Sequence, residues 1–409
     1  MAAMQVRDGA ATYSSASARG KLPDDQTLFE LGSITKTFTA LLLADAVTRG
    51  LTRLDAPVEA VLPDGLKLRD SQDRPLRWID LATHRSGLPR MPSNIDDGID
   101  GQDPYAHYGW PQMAAFLKEW KAVKPRDLAS SYSNLGFGLL GQALGFLQKT
   151  DYPTLLTTRV LKPLGLVDQI FLTAPPGRRF LDGHNKAGQR VSHWNFRPAM
   201  AGAGALVGST RGLARYAQAA LGQFDHPLKD AFQLCLREHA EGEGVGARTG
   251  LAWQLGVLSG RPAFHHGGET YGFIADLWLD PTKGSAAALL SNAPVTIADL
   301  ALHLVEPKAP VLDMALTRQA VVTLTPEQLA PLEGVYLLSP TMKIRMMAQG
   351  NRLFSQATGQ QAFELFPKSP REFFAKVTPL EIIFDPGTGP APALTVRQGG
   401  RDTRASREP

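Results

Sequence analysis

The sequence predicts an α/β unit that carries a helical insertion and is followed by a separate, small all-β unit. Three observations lead to this expectation. Two short extended segments, 2–6 and 10–15, flank Arg7-Asp8-Gly9 as a hairpin would, yet strand patterns return only at Leu251. The stretch from about 75 to 190 runs mostly in helical periods between Pro and Gly breaks. After Pro310 the texture changes to short segments bounded by turn residues. A length of 409 residues suits two or three units of ordinary size.

Each element follows from its local pattern. From Ser33 to about Arg49, Ile34, Phe38, Leu41, Leu42, Ala46 and Val47 recur at helical spacing, and Gly50 supplies the stop. Helical patterns follow at 76–84, 111–120, 134–148 and 153–162. Gly202-Ala203-Gly204 reads as a tight turn, and Ser209 as the cap of a helix from Arg211. Leu251–Leu258, Phe273–Leu279 and Ser285–Leu290 are strand candidates. In the tail, Lys343–Met347, Leu353–Ala357, Phe363–Phe366, Phe373–Val377, Glu381–Phe384 and Leu394–Gln398 predict a barrel or sandwich. The boundary is expected near 318/319. Nothing in the tail assembles a catalytic set, so it is expected to be structural or oligomerising, with ligand gripping as the alternative.

Composition narrows the function. Apolar residues at 43% and charged residues at 20% exclude a disordered, collagenous or coiled-coil chain. The net charge of +4 comes from scattered basic residues, without the basic run that tracks phosphates, so no nucleic-acid partner is expected. The single cysteine, Cys235, cannot make an intrachain disulfide or a thiolate zinc set, and is expected as a buried small hydrophobe. No run reaches the length of a membrane span, and the N-terminus lacks the apolar core of a signal peptide. A cytoplasmic protein, or a periplasmic or secreted one whose signal was removed, both fit. Oligomeric state is left open.

Three motifs carry chemistry. Ser33-Ile34-Thr35-Lys36 places a hydroxyl and an amine one helical turn apart. A serine needs a base, and a lysine desolvated in a pocket can serve as one near neutral pH, while the helix N-terminus offers N–H groups to an oxyanion. About one Ser-x-x-Lys is expected by chance in a chain of this length, and its bland alternative is a cap followed by a solvated lysine. The apolar helix behind Thr37-Phe38-Thr39-Ala40 counts against that alternative. Tyr132-Ser133-Asn134 brings a phenol and an amide to the start of a helix, where Asn134 can equally be a cap. His265-His266-Gly267-Gly268-Glu269 is a glycine-rich edge along which a substrate can lie close to the backbone.

In this order the three motifs resemble the serine β-lactamase and penicillin-binding-protein superfamily, closest to its class C branch and to the esterases and D-peptidases related to it. Leu81-Ala82-Thr83-His84-Arg85-Ser86-Gly87-Leu88-Pro89, Lys162-Pro163-Leu164-Gly165-Leu166, Ala201-Gly202-Ala203-Gly204 and Leu290-Ser291-Asn292 extend the resemblance over residues 20 to 295. It implies an antiparallel sheet flanked by helices with a helical subdomain at about 75–190, a catalytic domain over 1–318, and no metal or cofactor. The tail, 319–409, resembles the small lipocalin-like β-barrel that some of these hydrolases append. The resemblance makes Ser33 the acylated nucleophile, Lys36 its proton acceptor and Tyr132 the second acid/base group. Asn134 would hold the acyl side of the substrate, and the backbone N–H groups of Ser33 and Glu269 would form the oxyanion hole. His266 stands where class C enzymes keep the lysine of Lys-Thr-Gly, with Gly267 and Gly268 in the other two places.

That histidine is a departure. A lysine is a fixed charge for a substrate carboxylate, whereas a histidine near its reference pKa of about 6.5 is mostly neutral at pH 7 and would charge toward pH 6. Glu269, unless it points to solvent, would weaken anion binding further. Histidine here is familiar from peptidase and esterase members, so cephalosporin hydrolysis is put in doubt. Other chemistries lack their motifs: there is no Gly-x-Ser-x-Gly elbow, His-Glu-x-x-His pair or Walker loop. His84 and His184 read as structural. Tyr105, Tyr108 and Trp110 either roof the pocket or anchor their loop. The expected function is a serine hydrolase forming an acyl-enzyme with esters or D-amino-acyl peptides and hydrolysing β-lactams weakly. A true class C-type β-lactamase, a non-catalytic penicillin or peptidoglycan receptor and an interaction protein with a relic first domain are the alternatives.

Overall fold

The computed structural model describes the chain except residues 19, 96–102, 127–129, 186–187, 197, 243–246, 296, 310, 312–320, 340–341, 359–361, 376–379, 399–400 and 409, with Arg401 described in its backbone alone. It separates into two compact units, Met1–Pro310 and Val311–Pro409. The expected boundary at 318/319 lies outside the described residues.

The first unit is built on an eight-stranded antiparallel sheet. Its opening hairpin, Ala2–Arg7 and Ala10–Ser15, joins the late strands because Ala2–Val6 pair with Leu290–Ala286. Ser285–Ser291, Ile274–Asp280, Arg261–Glu269 and Gln254–Leu258 follow in turn, and two short strands complete the edge. Side chains alternate between two cores, as a strand requires. Ala2, Met4, Val6, Ala286, Ala288 and Leu290 enter the large core, whereas Ala3 and Leu289 meet Ile297 and Ala301 of the C-terminal helical segment. With both faces covered, every residue of Ser285–Ser291 is buried.

Helix Thr35–Thr48 crosses the large core and is buried from Thr35 to Ala46, consistent with its nearly all-round apolar character. Asn134–Gln148 and Pro198–Gly204 pack beside it. Gly202 makes that approach possible, since a Cβ there would lie 2.7 Å from the Phe137 carbonyl oxygen. Gly202-Ala203-Gly204 is therefore the end of a short helix, not the expected tight turn. Ser209 caps Thr210–Ala220 by accepting from the Gly212 N–H at 3.2 Å. The pattern at 76–84 yields only the short helix Trp78–Ala82, and 153–162 belongs to a helical run from Tyr152 to Leu164. The strand expected from Leu251 begins at Gln254, because Ala252 adopts φ +67° and turns the chain first.

The second unit is a closed eight-stranded barrel with strands in sequential order. Six strands match the tail patterns, although positions 376–377 of one lie outside the described residues. The two that close the barrel, Gly334–Ser339 and Arg401–Arg407, meet through Tyr336↔Arg407 and Leu337↔Ser406.

Candidate active site

Ser33 sits in a 3₁₀ turn, Gly32–Ile34, that leads directly into Thr35–Thr48. The i, i+3 spacing brings Lys36 Nζ to 2.9 Å from Ser33 Oγ. The same nitrogen donates to the Ala203 carbonyl at 2.6 Å. Thr39 Oγ1 donates to the Gly202 carbonyl at 2.8 Å, so two side chains of one helix hold the end of the other. Lys36 is completely buried, which excludes the solvated lysine considered above. Burial holds its pKa well below the ordinary lysine value, and the Arg90 charge lowers it further.

The Tyr132 ring centre lies 4.8 Å from Lys36 Nζ. Burial pushes its phenol up to about 12, against the opposing pull of the Ser33 hydroxyl and Arg90. The amine is thus pushed toward its basic form and the phenol toward its acidic form, which separates a base from an acid around one hydroxyl. Ser133, not Asn134, caps the following helix, accepting from the Gly136 N–H at 2.9 Å. Asn134 Nδ2 contacts Met91 Sδ at 3.5 Å, and its buried Oδ1 has no partner among the described residues. Tyr105 donates its O–H to Met91 Sδ at 3.7 Å, the sulfur that Asn134 Nδ2 also contacts, and stacks on Phe196 at 4.1 Å, so it belongs to the site. Tyr108 bonds Asn94, and Trp110 packs edge-on to Phe146; these two anchor the loop.

The glycine-rich strand closes the other side. Thr270 N–H donates to the Phe273 carbonyl at 3.0 Å, so by antiparallel alternation the N–H and carbonyl of Glu269 turn away from the neighbouring strand. They face the serine turn: a Cβ on Gly32 would stand 2.7 Å from Glu269 N and 2.8 Å from its O. A Cβ on Gly268 would stand 2.0 Å from the Leu31 carbonyl oxygen and 3.2 Å from Ser33 N. Backbone meets backbone here, and only glycine permits the contact. Gly267 is less confined, its nearest neighbour being 3.9 Å from such an atom.

His266 is buried, and its Nδ1–H donates to the Gly267 carbonyl at 2.6 Å, leaving Nε2 without a partner among the described residues. Burial, with help from the Lys36 charge, pulls its pKa down to about 3. This corrects the expectation that mild acid charges it: His266 is neutral at pH 6. The Glu269 side chain is exposed and points to solvent.

Sequence reasoning set His84 aside as structural, yet its ring stacks on Tyr132 at 4.3 Å. Its carbonyl accepts from the Ser131 N–H at 2.8 Å and its Nδ1 from the Ser133 N–H at 3.1 Å, clamping the residues on both sides of the phenol. The signal lay in the Leu81–Pro89 segment. His184 stays in a short strand that bonds the Asn292 carbonyl. A cavity of about 630 Å³ lined by Glu30, Phe180, His193, Trp194 and Phe196 lacks Ser33, Lys36 and Tyr132. Its His193 and Glu30 pair with each other at 2.8 Å, so the reacting groups define the site better than the cavity does. Among the described residues no group of three His, Cys, Asp or Glu side chains gathers as metal ligands, and no helix is long and apolar enough to cross a membrane.

Comparisons with known proteins agree with this geometry. A Beta-lactamase family model matches residues 1–305. The D-alanyl-D-alanine-carboxypeptidase/endopeptidase AmpH of Escherichia coli (strain K12) is 25% identical over 291 residues, spanning 67% of this chain and 73% of AmpH. Penicillin-binding protein 4 of Amycolatopsis lactamdurans is 27% identical over 290 residues, spanning 66% of this chain and 73% of that protein. The Beta-Lactamase/D-Alanine Carboxypeptidase structure from Pseudomonas syringae shares the fold with a TM-score of 0.65 at 21% identity, over 76% of this chain and 94% of that one. A helix-flanked antiparallel sheet with a serine and a buried lysine at its edge, matched by the family model over most of the chain, makes this protein a member of the beta-lactamase family of serine hydrolases.

Proposed function

We propose that the protein hydrolyses esters or D-amino-acyl peptides through an acyl-enzyme on Ser33. The observation that carries this reading is the fully buried Lys36 amine 2.9 Å from Ser33 Oγ. Lys36 accepts the Ser33 proton as Oγ attacks the carbonyl carbon, and the N–H groups of Ser33 and Glu269 receive the oxyanion. Tyr132 gives its proton to the leaving group and regains one from Lys36. Water then attacks the ester, its proton passes through Tyr132 and Lys36 to Ser33 Oγ, and the acid departs. Asn134 Oδ1 accepts from an N–H on the acyl side.

The neutral His266 supports the choice of substrate. Without a cation on the strand edge, a carboxylate on the leaving side loses its ion pair, which lowers the rank of penicillins and cephalosporins. The name of AmpH, a carboxypeptidase/endopeptidase, supports a peptide as the natural acyl donor, and the neutral strand edge favours one cut internally, whose leaving amine carries no terminal carboxylate. The test is Ser33→Ala. It should abolish p-nitrophenyl ester turnover and labelling by a fluorophosphonate, as read by intact mass. Labelling that survives the substitution would overturn the assignment. Steady-state turnover exceeding the acylation burst separates a hydrolase from an acylated receptor.

A further inference from the structure

The strand edge is neutral, but the opposite wall is not. Arg90 lies in Pro89-Arg90-Met91-Pro92, a segment fixed to the Tyr132 loop at three points. Ser133 Oγ donates to the Pro89 carbonyl at 2.7 Å, the Asn134 N–H to the Arg90 carbonyl at 2.9 Å, and Asn134 Nδ2 to Met91 Sδ at 3.5 Å. The Arg90 guanidinium stands 5.0 Å from the centre of the Tyr132 ring, held there as a cation over an aromatic face. Its side chain is exposed.

Other arginines of this unit have carboxylate partners. Asp70 holds Arg74 at 2.7 Å, and Asp80 holds Arg77 at 2.8 Å and Arg126 at 3.3 Å. No carboxylate among the described residues pairs with Arg90. A permanent, unpaired guanidinium beside the proposed acid/base group is a fork of donors turned to solvent, suited to a carboxylate. Its charge already reaches the reacting groups, lowering both Lys36 and Tyr132.

We infer that Arg90 is a specificity-determining residue that binds a carboxylate carried on the acyl part of the substrate. The placement rests on the proposed function, in which Asn134 holds the acyl side, because Arg90 is tied to Asn134 through its own carbonyl. The favoured acyl donor is then anionic on its acyl chain and neutral on its leaving group.

The experiment compares kcat/KM for mono-p-nitrophenyl adipate, its uncharged counterpart p-nitrophenyl hexanoate, and 5-hexanoyloxy-2-nitrobenzoate, whose carboxylate leaves with the phenol. In Arg90→Gln the adipate-to-hexanoate ratio should fall about fivefold, the size expected of a partly screened ion pair. Arg90→Lys should keep most of it. High salt should shrink the ratio in the wild type and leave it unchanged in Arg90→Gln. Any effect of Arg90 on Lys36 is shared by both esters and cancels. An unchanged ratio in Arg90→Gln, or a shift confined to the nitrobenzoate ester, overturns the inference. A wild type that shows no Ser33 acylation by a fluorophosphonate instead overturns the hydrolase reading, and this inference with it.

Discussion

Replacing Gly268 by Ala tests whether the proposed oxyanion hole is set by a backbone contact. The added Cβ would sit 2.0 Å from the Leu31 carbonyl oxygen, where about 3 Å is the closest tolerable approach, so turn and strand must separate by about 1 Å. Both obstructing neighbours, Leu31 O and Ser33 N, are main-chain atoms and cannot rotate aside. The two N–H groups assigned to the oxyanion lie on opposite sides of that contact. A misplacement of about 1 Å costs on the order of a hundredfold, and loss of one donor a hundred- to a thousandfold. The acylation rate should therefore drop at least about a hundredfold, roughly 2.7 kcal/mol of transition-state stabilisation. Overpacking should remove about 1–3 kcal/mol of stability and leave a folded protein. Stopped-flow acylation by a p-nitrophenyl ester, with circular dichroism to confirm the fold, measures both. Gly256→Ala, where a Cβ meets nothing within 4 Å, is the control for placing alanine in a strand. Near-wild-type acylation in Gly268→Ala would refute the reasoning.

Four further outcomes can be checked. His266 remains neutral well below pH 6, so the ratio of nitrocefin to ester kcat/KM should stay flat from pH 8 to 6, and a rise on acidification would refute this. Its unfolded form binds a proton below about 6.5 and its folded form only near 3, so stability falls with pH across that window; from pH 7 to 5 the loss is about 2 kcal/mol, and His266→Asn should lack this share in urea unfolding. His84→Ala should lower kcat on the order of tenfold with little change in KM, because Tyr132 loses its clamp. His84→Asn should recover part of it, since asparagine tolerates the φ of +59° and offers an oxygen to the Ser133 N–H; equal loss in both variants would count against a positioning role. A chain ending at Pro310 should fold and still acylate Ser33, because the first unit has its own core; a folded but unreactive truncation would assign the barrel a part in the site.

Local chemistry was legible in the sequence. Ser33 and Lys36 are joined by helical spacing alone, and 134–148 matches its helix residue for residue because its apolar period is uninterrupted. What escaped depends on distant partners. The closing strand Arg401–Arg407 shows no apolar alternation, since Ala405 is its one core contribution among the described side chains. The sequence around Ala203 predicts a turn, whereas its role as acceptor for Lys36 arises from packing between helices far apart in sequence. The low pKa of His266 could not be read from residue type, because it comes from complete burial beside Lys36. His84 was hidden for the same reason: its value lies in a stack onto Tyr132, forty-eight positions downstream.

The carbonyl of Ala203 gives the site an unusual relation to mutation. A main-chain oxygen is present whatever side chain occupies its position, and the same holds for the N–H group of Glu269. Under the proposed mechanism, these parts of the reaction are insensitive to most substitutions at their own positions and fail only when the backbone shifts. Under the same proposal Arg90, Asn134 and Tyr105, by contrast, would meet the substrate through side chains, and none of them is a partner in the Lys36–Ala203 bond. Such a division would let substrate preference change while acyl transfer persists, so activity on a new ester should be reachable by single substitutions at Arg90, Tyr105 or Asn134.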